Sequence, residues 1–236
     1  ESTSLNVSYW AFNTERKPFD DPRVRLALSH AVDRKAIIDA VYFGLAQPAK
    51  SLVPPTSWAY NKESVPKQFD LARAKELLAE AGLEDGFEMD IWAMPVQRVY
   101  NPTAGKMAVT FDWGTFRKKL KAGEHDSVLI GWLADNSDPD NFYRPLLSCA
   151  AAYSGSNRSR WCDVEFDNNI KRALSLTEND DRKAFYYAAE SVIRAQVPLV
   201  PIAHATRHKV HHDYIKQVNI NPYGGIDFSA TYKGEK

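Results

Sequence analysis

The sequence predicts an α/β fold in which helices flank a mixed sheet. Short apolar runs bounded by turn residues recur along the chain, as buried strands do. Between them lie stretches with apolar residues at helical spacing. Several of these open at an aspartate and stop at a glycine, residues that favour helix starts and ends. Strands separated by helices argue for an α/β or α+β lobe.

Taken in order, Leu5 to Phe12 has strand character, with Val7, Tyr9 and Ala11 on one side. Asp21-Pro22 starts a helix, an acid at the cap and proline at the first helical position, and Val24, Leu26, Ala27 and Ala31 form its apolar stripe. Asp33 caps a second helix, which Ile37, Ile38 and Val41 carry to Gly44. Pro54-Pro55-Thr56-Ser57-Trp58 breaks regularity. A third helix runs from Asp70 to Ala81, with Leu71, Ala74, Leu77 and Leu78 as its stripe and Gly82 as its stop. Phe87 to Trp92 alternates like a half-buried strand, and Val128-Leu129-Ile130 reads as a buried one. Trp113 to Ala122 is a short amphipathic helix ended by Gly123. Asp163 to Leu176 and Asp180 to Ala195 form a helix pair joined by Thr177-Glu178-Asn179. Val197 to Ala203 is extended, and Pro198 and Pro201 predict an edge or a bulge there.

The 236 residues suffice for one large or two small domains. Thirty basic residues balance thirty acidic ones, which gives no support to a nucleic-acid or anionic-membrane surface. No run approaches the ~20 apolar residues of a membrane helix, and Glu1-Ser2-Thr3-Ser4 is not a signal peptide. Cys149 and Cys162 could close a short loop or remain two buried thiols. The small, polar segment between them favours a disulfide and hence an oxidising compartment.

Two loops stand out chemically. The run from Gly131 to Phe142 follows an apolar strand with Trp132 and then a series of carboxylates and amides, including Asp135, Asp138 and Asp140. A rigid strand delivering polar groups to a cleft mouth is a common way to build a binding site. An Asx-rich turn entering a helix explains the same residues for purely local reasons. The other loop follows Phe87 to Trp92, where Pro95 and Pro102 bracket Arg98 and Tyr100. The planar guanidinium of arginine suits a carboxylate, although a lone arginine beside a turn is usually just solvated. If both strands point the same way in one sheet, the two loops share its carboxyl edge, where ligands of open α/β sheets bind. An acid and a base so placed match a zwitterion, and Trp132, Tyr100 and Phe142 would wall the groove.

Other chemistry fares less well. The acids miss the spacing of a calcium loop, and no downstream glutamate completes one. His204, His208, His211 and His212 lack a nearby cysteine and alternate faces on an extended segment, so they read as a solvated strand rather than a zinc site. No nucleophile elbow, predicted free cysteine or phosphate-cradling glycine loop occurs, so an enzyme is not expected and no cofactor is implied.

Several stretches carry a resemblance over nearly the whole chain. They are Phe12-Asn13-Thr14, Asp20-Asp21-Pro22-Arg23-Val24-Arg25, Pro54 to Trp58, Met94 to Arg98, Tyr100-Asn101-Pro102, the Gly131–Phe142 loop, and the two cysteines with Trp161. Together they resemble the family 5 extracytoplasmic solute-binding proteins that feed peptide ABC transporters. Within that family the dipeptide-binding group is similar. Arg144 to Cys149 and Pro198 to Lys236 look most like its SapA-type members, linked to antimicrobial-peptide resistance.

The resemblance implies a type II periplasmic-binding-protein lobe and a monomeric, periplasmic protein that hands peptides to an inner-membrane ABC permease. It implies that Asp135 binds the peptide ammonium, that Arg98 and Tyr100 bind its carboxylate, and that Cys149 pairs with Cys162. Haem or another non-peptide solute is the alternative ligand, and a peptide or amide hydrolase the remote one. Family members are about twice as long, so the chain corresponds to their second lobe. Residues 1–212 would be the ligand-binding lobe and 213–236 a return segment towards the hinge. Lys106-Met107-Ala108 would normally open a helix and strand before a segment like Val109 to Gly114, and here Ala108 joins Val109 directly.

Overall fold

The computed structural model describes residues 2–102 and 111–235. The Ala108–Val109 junction lies outside the described residues. In chain order the described elements begin with β1 (Ser2–Thr3), β2 (Asn6–Phe12), α1 (Pro22–His30), α2 (Arg34–Tyr42), β3 (Ala46–Pro48) and α3 (Leu71–Glu80). Next come β4 (Ile91–Ala93), α4 (Trp113–Ala122), β5 (Ser127–Leu133), α5 (Asp140–Leu147), α6 (Ala151–Ser154), α7 (Val164–Leu174), α8 (Asn179–Gln196) and β6 (Leu199–Arg207). Four two-residue strands follow: β7 (Ile215–Lys216), β8 (Asn219–Ile220), β9 (Ile226–Asp227) and β10 (Tyr232–Lys233).

Six strands form one mixed sheet in the order β1-β6-β2-β5-β4, with β3 also paired to β6. Strand β2 runs antiparallel to both β5 and β6, whereas β4 and β5 are parallel. Because side chains alternate along a strand, β2 feeds two cores. Val7, Tyr9 and Ala11 join α4, α5, α7 and α8 on one face, while Trp10 and Phe12 join Ile38 and Tyr42 of α2 on the other. After Arg207 ends β6, the chain continues into two small ribbons, β7 with β10 and β8 with β9.

Five helices start where an aspartate carboxylate accepts a backbone N–H. Asp21 accepts from Arg23, Asp33 from Ala36, Asp70 from Arg73, Asp112 from Gly114 and Thr115, and Asp163 from Phe166. Such caps contribute about 1 kcal/mol each. Gly82 and Gly123 take the expected left-handed turn at the ends of α3 and α4. At α2 that turn begins one residue before Gly44, at Phe43 (φ 54°). At α8 it falls on Val197 (φ 47°), a strained place for a β-branched residue. Arg25 braces it. Its buried guanidinium donates to the carbonyls of Gln196 (2.6 Å), Val197 (3.2 Å) and Phe19 (2.6 Å), and burial pushes its pKa down to about 10.

Two expectations need correction, and a third, left open between an edge and a bulge, is resolved. The strand at 87–92 has the right burial alternation, since Phe87 and Met89 pack on the second core, but its ladder begins only at Ile91. The bulge at Pro201 is present, as a register shift opposite Ser8/Tyr9. Yet β6 is interior to the sheet rather than an edge, since β2 lies on one side and β1 and β3 on the other. Arg34 takes the Pro201 carbonyl at 2.8 Å. His204 is not solvated. It is 3% exposed, with Nδ1 2.7 Å from the Asn6 carbonyl oxygen, and only His208, His211 and His212 face solvent.

Cys149 and Cys162 form a disulfide, with Cα atoms 4.4 Å apart. It closes the loop carrying α6 and Trp161. In a chain-entropy account a loop of that size stabilises by about 3 kcal/mol.

Burial also holds His125 and His204 neutral, lowering each pKa to about 4. The unfolded chain therefore binds more protons than the folded one between about pH 6.5 and 4, and stability should fall as pH drops through that window. The upper bound is about 3 kcal/mol per histidine. Asp140 and Glu190, whose carboxyls burial raises, act in the opposite sense. Urea denaturation of His204→Gln should thus show a shallower loss between pH 7 and pH 4.5 than the unsubstituted protein. Equal slopes would mean that His204 takes up its proton in the folded state.

Candidate ligand-binding site

The pairing of β4 with β5 sets the site. Ile91 lies opposite Ser127, Trp92 opposite Val128 and Ala93 opposite Leu129, all in parallel register. Both chains therefore leave at the same edge of the sheet.

After β4 the chain folds into a braced turn. Arg98 and Asn101 exchange backbone hydrogen bonds at 3.1 and 2.9 Å. The Asn101 amide donates to the carbonyls of Met94 (2.9 Å) and Val96 (2.8 Å). From α2, the Tyr42 hydroxyl donates to the Tyr100 carbonyl at 2.9 Å and shares a 2.8 Å hydrogen bond with Ser8. The Tyr100 ring then lies against the backbone of β5 at Gly131. A Cβ there would sit 2.3 Å from the ring and 2.6 Å from the Val7 carbonyl oxygen. Burial raises the Tyr100 phenol, and the Arg98 guanidinium beside it works the other way. Arg98 is exposed; one nitrogen donates to its neighbour's carbonyl at 2.7 Å, and no carboxylate among the described residues pairs with it.

The loop after β5 is local turn chemistry and a candidate site at once. Asn136 accepts from the Asp138 N–H and Asp138 from the Asp140 N–H, each at 2.9 Å, which is the Asx-turn pattern entering α5. Two of the three acids are engaged within the fold. Arg182 donates to Asp138 at 2.7 Å, and Arg144 pairs with Asp140 at 2.7 Å. Asp135 is exposed, and among the described residues no cation pairs with it. Its backbone is fixed by Asn141, whose Oδ1 accepts from the Asp135 N–H (3.1 Å) and the Trp132 indole N–H (3.2 Å). Trp132 remains partly exposed.

Phe142 is a correction. It is 1% exposed in the core with Tyr143 and Leu146, so it presents no wall to a groove. Burying a phenylalanine contributes about 2 kcal/mol, which favours that position over a wet cleft. Sequence reasoning missed Gly131, Asn141 and Tyr42 as supporting residues. Glycine inside an apolar strand was the available signal, since it marks close backbone approach. Asn141 lies in a run of Asx residues where none stands apart. No histidine lines the two pockets that adjoin Tyr100, and no metal-holding cluster of three His, Cys, Asp or Glu occurs among the described residues.

Comparisons with known proteins show what the chain is similar to. Residues 1–111 match the family model "Bacterial extracellular solute-binding proteins, family 5 Middle". The dipeptide-binding protein of Escherichia coli (strain K12) is 43% identical over 97% of this chain and 46% of its own length. Heme-binding protein A of Haemophilus influenzae is 41% identical over 95% of this chain and 44% of its own. The chain is also similar to the probable periplasmic-binding protein SapA of E. coli, but at 34% identity over 97% of this chain and 45% of that protein. The expected preference for SapA-type members is thereby corrected in favour of the dipeptide-binding group. The crystal structure of a dipeptide binding protein from Pseudoalteromonas sp. SM9913 in complex with Met-Leu superposes with a TM-score of 0.89 at 46% identity, over 98% of this chain and 49% of that one. The chain thus spans about half the length of the relatives it matches.

The contact at Gly131 yields a test. Gly131→Ala should cost about 1–3 kcal/mol in chemical denaturation, because neither the ring nor the Val7 carbonyl can be avoided. Adding Tyr100→Ala should recover the share due to the ring. Unchanged stability in Gly131→Ala would show that Tyr100 does not rest on β5.

Proposed function

Since the chain belongs to the bacterial extracellular solute-binding proteins of family 5, we propose that it forms the ligand-contacting half of a peptide-binding component of an ABC transporter. The observation that carries this reading is the pair of free, opposite charges on adjoining loops. Asp135 follows β5 and Arg98 follows β4, and neither has an ion-pair partner among the described residues. Asp135 takes the peptide's α-ammonium. Arg98, with the Tyr100 hydroxyl beside it, takes the α-carboxylate, and Trp132 covers the backbone between. Free termini select short peptides, because both charges must be met at once. A second lobe would close over this edge like a hinge and complete the pocket.

The relatives are solute-binding proteins and not enzymes, in keeping with capture without chemistry. Delivery to an inner-membrane permease, a periplasmic location and a monomeric state belong to the same proposal. The disulfide favours an oxidising compartment, and no described helix is long and apolar enough to cross a membrane. Peptide binding is the role these residues support, and a link to antimicrobial-peptide resistance rests on the likeness to SapA alone. Haem has a relative behind it, but His204 is buried and no histidine lines the described pockets at Tyr100, so the observation that would favour haem over a peptide is not found there.

Calorimetry with Ala-Ala tests the assignment. Removing the charge in Asp135→Asn should weaken binding at least ~10-fold, equivalent to about 1.4 kcal/mol. N-acetylation of the peptide should cost the unsubstituted protein a similar factor and cost Asp135→Asn far less. Unaltered affinity in that variant would remove Asp135 from the ammonium site.

A further inference from the structure

Beside Tyr100, on the α4 side of the sheet, lies a pocket of about 200 Å³. Aromatic groups from Tyr9, Tyr100 and Trp132 form part of it, and Ser156, Arg117 and Arg158 bring the polar atoms. Among the described residues, the only charged side chains lining it are the two guanidinium groups, and no carboxylate reaches it.

Arg158 is placed deliberately by its surroundings. It sits in the loop closed by the disulfide, where the Asn157 amide donates to the carbonyls of Ser148 (3.2 Å) and Trp161 (2.8 Å). Its own carbonyl lies 2.7 Å from Nε2 of buried His125. The side chain has no such support. Its Nε is buried without a hydrogen-bond partner, and it forms no ion pair among the described residues. Burial lowers its pKa, Tyr9 works the other way, and repulsion from Arg117 and Arg160 adds to the lowering. Tyr9, whose phenol burial pushes up, stays a neutral hydroxyl. The two guanidinium groups therefore converge, among the described lining residues, where hydroxyls are present but no carboxylate is, and a charged group with a buried, unpartnered N–H is expected to find an anion.

We propose that this pocket is a side-chain subsite selective for an acidic residue of the bound peptide, aspartate or glutamate, whose carboxylate pairs with Arg158 and Arg117. The inference rests on the peptide-binding reading and deepens it, since it names a preferred ligand class. The subsite is separate from the α-carboxylate contact at Arg98, which lies on the exposed turn. Its volume admits a short carboxylate side chain with one or two waters, each ~30 Å³. Arginine binds such a group through two parallel, charge-assisted bonds.

The test is calorimetry of the purified protein with Ala-Glu against Ala-Gln, Glu-Ala against Gln-Ala, and Ala-Ala as reference. In at least one pair the acidic peptide should bind at least tenfold more tightly, and that ratio should shrink as salt is raised. Arg158→Gln should bring the ratio near one, and Arg158→Lys should restore part of it. If Ala-Ala binds while both pairs show equal affinities in the unsubstituted protein, the acidic subsite is wrong and peptide binding stands. A tighter complex with Ala-Phe than with either acidic peptide would likewise overturn it, in favour of an aromatic pocket. Failure of every dipeptide to bind the full-length, two-lobed protein would overturn the proposed function and the subsite with it.

Discussion

Two strands hydrogen-bonded in parallel must release their chains on the same side, and this constraint on β4 and β5 brings the candidate site together. Arg98 and Asp135 are 37 positions apart in sequence, and nothing local joins them. The shared edge does. The alignment is then tightened by a contact made from an absence, since Tyr100 can approach β5 only because residue 131 has no side chain. A turn anchored to α2 through Tyr42 is thereby pressed against the strand that leads to Asp135. The site inherits the stiffness of the sheet although its charged groups sit on loops.

Local rules were legible in the sequence, and long-range ones only in part. Aspartate caps and helical stripes located α1, α2, α3, α4 and α7 to within a residue or two, because those signals act over one turn. The strand at 87–92 is shorter than its alternation predicts. Burial alternation there reflects packing on a core, whereas a ladder needs a partner, and the partner strand starts at Ser127. Phe142 and His204 were misjudged for one reason. An aromatic beside a polar loop, or a histidine among histidines, gives no sign of how deep its backbone lies. The three loop acids looked alike in sequence. Only the positions of Arg182 and Arg144 distinguish Asp135 from Asp138 and Asp140.

A net charge of zero conceals a division of labour among the arginines. Arg25 and Arg34 donate to main-chain carbonyls and hold helices against the sheet. Arg182 and Arg144 neutralise acids within the fold. Arg98, Arg117 and Arg158 remain without acid partners among the described residues, and all three cluster around Tyr100. Arg98 and Arg117 are exposed and hydrated, so the cost of an unpaired cation falls on Arg158, whose Nε is buried without a partner. That cost makes the region around Tyr100 the natural place for an anionic group.

The cysteine bridge connects covalent chemistry to recognition. It ties together the two ends of the segment that bears Arg158, while the hydrogen bonds of the main sheet lie elsewhere. A thiol reductant would therefore act on the segment that carries Arg158 and not on the strand ladders. On the proposed reading, that one covalent bond bears on ligand choice as well as on the robustness of the loop.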